Sequence, residues 1–300
     1  SAPFGLVVEY DDDFFGRYDS LRSDVKTYNI QPSVAFKISD NFSIGGGVDI
    51  QYIDVELTNA LPGIPQVPTG LGVSAPDGRL EVRGDDWSVG WNVGATATFG
   101  PVRLGAHYRS QMEHELEGTY EISGLTGVLA AQNVSLDATA PITLPDIATV
   151  SVLFGVDKPL RFMGTWRYYN WKDFEAIRIR PEGAPETVSE QNYQDTWSAA
   201  LGAEYDVNDR FTVRAGTMYD PTPTVDAFRS TRVPDGDRTW VSGGISYRMN
   251  DMIKLNLSYA HVFVTEEELD RTDVTTTAST VRSTNSGNAD IVAASASLRF

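Results

Sequence analysis

Apolar and polar residues alternate along most of this chain with a period of two. At its end Val292, Ala294, Ala296, Leu298 and Phe300 fall on one face, and Ala293, Ser295, Ser297 and Arg299 on the other. That is the signature of a strand with one face in an apolar phase. The pattern recurs at Tyr28, Ile30, Pro32, Val34, Phe36 and Ile38, then at Phe42, Ile44, Val48, Ile50 and Tyr52. Trp87, Val89, Trp91, Val93, Ala95 and Ala97 alternate with Ser88, Gly90, Asn92, Gly94, Thr96 and Thr98. Val102, Leu104, Ala106, Tyr108 and Met112 are expected to face away from Arg103, Gly105, His107, Arg109 and Gln111. Further strands centre on 150–154, 160–168, 197–205, 211–219, 241–247 and 253–263. With one at 4–10 and the terminal one, about twelve strands are predicted, an even number.

A soluble sandwich has the same period, so the connections must decide which phase the apolar face meets. Tight links at 39–41, 100–101, 157–159, 207–210 and 250–251 alternate with long ones at 61–84, 123–139, 181–192, 220–237 and 266–287. Short turns on one rim and long loops on the other build a membrane meander. The prediction is therefore all-β: one transmembrane antiparallel up-and-down β-barrel over residues 1–300, in the bacterial outer membrane. Tyr10, Tyr52, Tyr120, Tyr168, Tyr205, Tyr219 and Tyr247, near strand ends, are expected in the interfacial girdles. The opposite face, rich in Gly, Ser, Thr, Asn, Gln and Arg, is expected to line a wet lumen. The greasy stripe would touch lipid throughout.

Composition narrows the partners. A net charge of −17 argues against a nucleic-acid surface, which needs clustered Lys and Arg. With no cysteine, disulfide scaffolds and Cys-based metal sites are excluded. No run approaches the ~20 apolar residues of a spanning helix. Ser1 opens no signal peptide, so a mature or trimmed chain is expected, trimmed for preference.

Candidate chemistry is sparse. His107, His114 and His261 could serve a Ser-His hydrolase, but they lie on strands without an evident local partner, and no serine sits in a nucleophile motif. Glu266, Glu267, Glu268 and Asp270 read as a solvated charge run, so neither metal nor cofactor is expected. Parity turns Arg103, Arg109, Arg161, Arg167, Arg214 and Arg238 toward the lumen, with Lys37 and Lys254. Such cations could steer an anionic head group, or pair with Asp49, Glu113 and Glu204 to hold the wall. Leu61, Ile64, Val67, Leu71 and Val73, and the greasy 125–129 stretch, could receive a hydrophobic solute or pack together as a cap.

Several segments resemble the long-chain fatty acid transporters of the FadL/TodX type. They are Trp87-Ser88-Val89-Gly90-Trp91-Asn92-Val93-Gly94, Tyr108-Arg109-Ser110, Leu144-Pro145 and Trp171-Lys172-Asp173-Phe174. The stretch from Tyr219 through Asp220, Pro221 and Pro223 to Val233-Pro234-Asp235-Gly236-Asp237-Arg238-Thr239-Trp240 completes the set. The resemblance implies a passive outer-membrane channel for long-chain fatty acids or other hydrophobic compounds, not an enzyme, with about fourteen strands, an N-terminal hatch and a sideways exit at a kinked strand. The hatch and first two strands have no counterpart here, which implies either a fragment or a hatchless barrel of about twelve strands. Phe4, Gly5 and Leu6 are expected at the exit. Leu61, Ile64, Val67, Leu71, Arg103, Arg109, Arg167, Arg214 and Arg238 complete the candidate ligand-binding set. A monomer in outer-membrane lipid, with a hydrophobic or fatty acid solute, is expected. A general-diffusion or structural porin is the alternative, and an outer-membrane lipid hydrolase the third.

Overall fold

The computed structural model describes residues 4–63, 76–273 and 279–298. Their backbone is mostly extended. The wall begins with β1 (Gly5–Glu9), β2 (Arg22–Ile30), β3 (Ser33–Ser39), β4 (Phe42–Leu61), β5 (Gly78–Phe99), β6 (Val102–Arg109) and β7 (Met112–Ser123). It continues with β8 (Val134–Leu144), β9 (Ile147–Phe154), β10 (Leu160–Tyr169), β11 (Ala176–Pro181), β12 (Thr187–Glu190) and β13 (Thr196–Asp206). The last elements are β14 (Phe211–Asp220), β15 (Arg238–Arg248), β16 (Ile253–Asp273) and β17 (Ser279–Leu298). Every ladder is antiparallel, and those of the wall follow chain order. β2 with β3, β6 with β7 and β8 with β9 each make one interrupted strand, because β4 pairs with both halves of the first and β6 and β7 pair with β9 and β8. Counted so, with β11 and β12 as an outer flap, the described wall has the twelve strands the alternation predicts.

The interruptions differ in kind. Gln31 and Pro32 separate β2 from β3 without changing register: Arg22 faces Thr58 and Ser33 faces Gly47. Proline lacks an N–H for the ladder, but its carbonyl still accepts from the Val48 amide at 3.1 Å. Between β6 and β7 the register slips. Asn92 and Asp85 of β5 pair with Arg109 and Glu117, so seven steps on one strand answer eight on the other. One residue is inserted at Ser110-Gln111, a β-bulge. This corrects the expected parity of Met112, which is buried inside while Tyr108 stays outside.

Toward the short turns the apolar row faces outward, with Val89 69% and Leu201 68% exposed. The inward row there is polar and buried, with Asp49, Gln51 and Asn92. Large apolar side chains exposed in a closed-packed band, over a hydrogen-bonded polar interior, fit a strand wall whose outer solvent is lipid. Rings mark the upper edge of this band. Tyr28, Tyr52 and Trp87 form a chain with centroids 6.3 and 5.1 Å apart, and Trp197 meets Tyr219 at 5.9 Å. Two expected girdle tyrosines lie elsewhere: Tyr10 stacks on Phe14, and Tyr120 packs on an inner apolar cluster.

Above the rings the polarity inverts. On β4 the inward row changes from Asp49 and Gln51 to Ile53, Val55 and Leu57, and the outward row from Val48, Ile50 and Tyr52 to Asp54 and Glu56. The β5 outward row likewise changes from Trp91, Val89 and Trp87 to Asp85, Arg83 and Glu81, while Val82 and Leu80 turn in. Pairing from Phe42↔Ala97 to Leu61↔Gly78 is unbroken, so sequence alone reverses the faces. The expectation that the greasy stripe touches lipid throughout is thus corrected: beyond the membrane the outside is water, and apolar side chains gather inward. Several expected loops are also strand. β5 begins at Gly78, β8 at Val134, and β16 and β17 run to Asp273 and from Ser279.

Candidate functional site

The inverted part of the wall encloses a cavity of about 510 Å³. Val25, Val55, Leu57, Val82 and Leu116 line it from β2, β4, β5 and β7, and Ile142 and Ile179 from β8 and β11. The alternation brings these side chains to one face, and burial of Ile53, Leu80, Leu116 and Ala138 behind or beside them fixes their packing. Next to β2 lies β1, which with the preceding Phe4 puts Phe4, Gly5 and Leu6 on the lining. An aromatic cluster closes one side. Trp171 meets Phe4 and Tyr193 edge-on with centroids 5.7 Å from each, and Phe174 meets Tyr193 at 4.9 Å. Burial pushes the Tyr193 phenol well above its ordinary pKa, with the Asp235 charge adding to it.

The connection between β14 and β15 folds inward as a fourth wall, placing Pro221, Pro223, Val233 and Pro234 on the cavity. Its ends carry the polar corner. Arg238 Nε lies 3.5 Å from Asp220 Oδ2, and its Nη2 lies 3.4 Å from Asp235 Oδ2. The Asp235 carboxylate also accepts from the Thr222 hydroxyl at 2.7 Å. Arg238 Nε is buried and makes no hydrogen bond. A buried N–H whose nearest carboxylate oxygen lies beyond good hydrogen-bond distance leaves room for a ligand oxygen to compete for it.

Of the residues singled out in the sequence, Phe4, Gly5, Leu6 and Arg238 come together at this cavity. Leu61 ends β4 and packs against the cluster of Leu80, Val82, Ala138 and Ile179. Ile64, Val67, Leu71 and Val73 lie outside the described residues. The other arginines are apart from the cavity. Arg109 pairs with Asp49, whose carboxylate also accepts from Asn29 and Asn92 at 2.8 and 2.7 Å. Arg214 pairs with Glu204, which also holds Arg161 at 2.6 Å. Arg103 donates to Thr98 Oγ1 at 3.1 Å near the turn rim. Arg167 is exposed on the inward row of β10, two residues from Tyr169 of the cavity. In the 125–129 stretch Leu125 is buried, its backbone held at both ends by Asn133.

Two histidines have partners that local sequence did not show. His114 places Nδ1 3.0 Å from Asp86 and Nε2 3.1 Å from Gln51, and His261 lies 2.7 Å from Asp290. Each carboxylate is nearly thirty positions away in the chain but across the sheet in space. In the acidic run, Glu267 pairs with Arg229 and Asp270 with Arg282. The sequence reading missed Val25, Val55 and Tyr193 as cavity residues. For Trp171 and Phe174 the available signal is the family-like motif Trp171-Lys172-Asp173-Phe174.

A family model described as outer membrane protein transport protein (OMPP1/FadL/TodX) matches residues 1–300. The long-chain fatty acid transport protein of Escherichia coli O6:H1 is 27% identical over 292 residues, 87% of this chain and 65% of that protein. Outer membrane protein P1 of Haemophilus influenzae is 26% identical over 281 residues, 86% of this chain and 60% of its own length. The chain thus spans about two thirds of the length of these curated relatives. A crystal structure of a Pseudomonas aeruginosa FadL homologue superposes with a TM-score of 0.88 at 25% identity, covering 99% of this chain and 73% of that one. The Ralstonia pickettii toluene transporter TbuX shares the fold, with a TM-score of 0.70 at 20% identity over 99% of this chain and 76% of its own. With an oily outer band, a polar inner one and a match along its whole length, this chain belongs to the OMPP1/FadL/TodX family of bacterial outer membrane transport proteins.

Proposed function

We propose that this protein passes long-chain fatty acids, or apolar solutes of similar size, through the outer membrane without catalysis. The carrying observation is a cavity of about 510 Å³ whose walls are mostly apolar and whose polar corner carries Arg238. A dry engineered cavity of roughly 150 Å³ suffices for benzene, so this space suits a longer chain than a single aromatic ring. Apolar walls favour the tail in proportion to the area removed from water, and the arginine favours an acidic head. The name of the Escherichia coli relative agrees with that class.

A general-diffusion pore is the weaker reading. Buried groups such as Asp49, Gln51, Asn92 and Ser198 fill inward positions where a wide aqueous bore would leave them wet. Neither partnered histidine lies on the cavity lining.

The test is binding and entry of a labelled long-chain fatty acid in vesicles containing the protein. Arg238→Gln should weaken fatty acid binding about tenfold, within the worth of a hydrogen bond to a charged group, and leave an alkane of equal length unaffected. Entry no faster than into empty vesicles would end this reading.

A further inference from the structure

The cavity wall formed by 221–237 is attached in two unlike ways. Toward β16 it is tied many times. The Arg229 side chain, 2% exposed, lies 2.8 Å from Asp226 and 3.4 Å from Glu267. It donates to the Glu268 carbonyl of β16 at 3.2 Å, and Arg271 of β16 donates to the Phe228 carbonyl at 2.8 Å; the Arg229 bonds to Asp226 and the Asp235 carbonyl lie within the segment. This side is a hinge line, with Pro221, Pro223 and Pro234 stiffening the flanks.

Toward the β1–β2 connection the attachment centres on Asp19, whose Oδ1 also lies 3.7 Å from Arg271 Nε of β16. Near β13 the Pro221 and Pro223 carbonyls accept separately from the Thr196 hydroxyl and the Gln194 amide at 2.9 and 3.0 Å. The Thr231 amide and hydroxyl both donate to Asp19 Oδ2, at 2.7 and 2.6 Å, and Arg232 Nη2 donates to the Asp19 carbonyl at 2.8 Å. The Tyr10 hydroxyl adds a bond to the Thr231 carbonyl at 3.0 Å. Asp19 belongs to the β1–β2 connection, which is pinned to β4: the Ala60 amide donates to the Arg17 carbonyl and the Leu21 amide to the Thr58 carbonyl, both at 2.8 Å. Arg17 also holds Asp77 at 2.8 Å. One carboxylate, 9% exposed, therefore joins a fixed connection to the edge of a segment that lines the cavity with Arg232, Val233 and Pro234.

We propose that Asp19 is the latch of a lid: the 221–237 segment stays hinged toward β16, and release of Thr231 and Arg232 from Asp19 opens the cavity for solute exchange. The inference rests on the uptake reading only for what is exchanged. Buried hydrogen bonds to an ionised carboxylate are the strong kind, yet they sit at one point and can be given up together without unzipping a strand.

The chain has no cysteine, so a pair placed by Asp19→Cys with Thr231→Cys is a clean, reversible latch. Two readouts in detergent-solubilised full-length protein test it: release of a bound fluorescent long-chain fatty acid, and hydrogen exchange of the amides at 222–235. Reduced, the pair should release ligand and exchange those amides at least tenfold faster than wild type. Oxidised, it should fall to wild-type rates or below. Asp19→Ala should match the reduced pair, and Asp19→Asn, which keeps an acceptor oxygen, should lie between. Equal rates for Asp19→Ala and wild type overturn the latch whether or not the pair cross-links, as do equal rates for its two redox forms. Wild type that binds no fatty acid defeats the uptake reading instead, while the amide exchange still decides the latch.

Discussion

The two ends of β4 have the same alternation and opposite chemistry. From Phe42 to Tyr52 apolar side chains look outward over a buried Asp49 and Gln51, whereas from Ile53 to Leu61 apolar side chains look inward and Asp54 and Glu56 look out. No break in pairing separates the halves. What changes is the solvent outside, lipid for one and water for the other, so the same driving force sends the same residue types to opposite faces. An apolar cavity can therefore sit directly on top of a polar barrel interior in one continuous strand pair.

The membrane half depends on its inner polar contacts because their groups cannot reach water. The sharpest way to break the comparison is Asp49→Ala. This removes the carboxylate, 0% exposed, that holds Arg109, Asn29 and Asn92, and leaves the guanidinium unpaired. Breaking one partner of a buried ion pair costs about 3–5 kcal/mol. Urea unfolding of vesicle-reconstituted protein, followed by tryptophan fluorescence, should show that loss. A cost below about 1 kcal/mol, as for a surface substitution, would mean that water enters the lower barrel freely.

The outer faces supply a second, smaller contrast. Val89→Arg puts a charge in the oily band at a side chain 69% exposed and should cost about 2–4 kcal/mol if it lies near the bilayer midplane. Glu117→Arg, exposed on the outward row of β7 above the band, should stay within about 0.5 kcal/mol. Equal costs in the same unfolding assay would place the membrane boundary wrongly.

Much of the membrane half was legible in the sequence. A period of two with large apolar residues on one face shows itself over any single strand, as at Trp87 to Ala97. The inversion was not, because period carries no sign: Ile53, Val55 and Leu57 continue the β4 alternation and differ only in which medium they avoid. Glu113, Glu115 and Glu117 alternate with Met112, His114 and Leu116 as cleanly as any lipid-facing strand. A one-residue slip at Ser110-Gln111 hid which face they took. At the site, Phe4, Gly5, Leu6 and Arg238 were within reach of parity and family likeness. The Asp220 carboxylate beside Arg238 and the Asp86 beside His114 depend on chain reversals that local patterns do not encode, whereas Asp235 lies only three residues before Arg238.

That slip offers the finest test of how the two halves join. Opposite the bulge, β5 carries Gly90, where an added Cβ would lie 2.4 Å from Met112 Sδ and 2.7 Å from Ser110 Oγ. Ser110 Oγ accepts from the Trp91 amide at 3.0 Å and donates to the Gln111 carbonyl at 3.1 Å, so it is part of the bulge's own bonding. Gly90→Ala must displace both side chains and should cost about 1–3 kcal/mol, the range for overpacking. Gly105, on the inward row of β6, has its nearest neighbour 3.9 Å from such a Cβ, and Gly105→Ala should stay within about 0.5 kcal/mol. Adding Met112→Ala should recover part of the Gly90→Ala loss if steric pressure on Met112 causes it. The two alanine variants, unfolded side by side, would deny the bulge its role in turning β7 inward if they proved equally harmless.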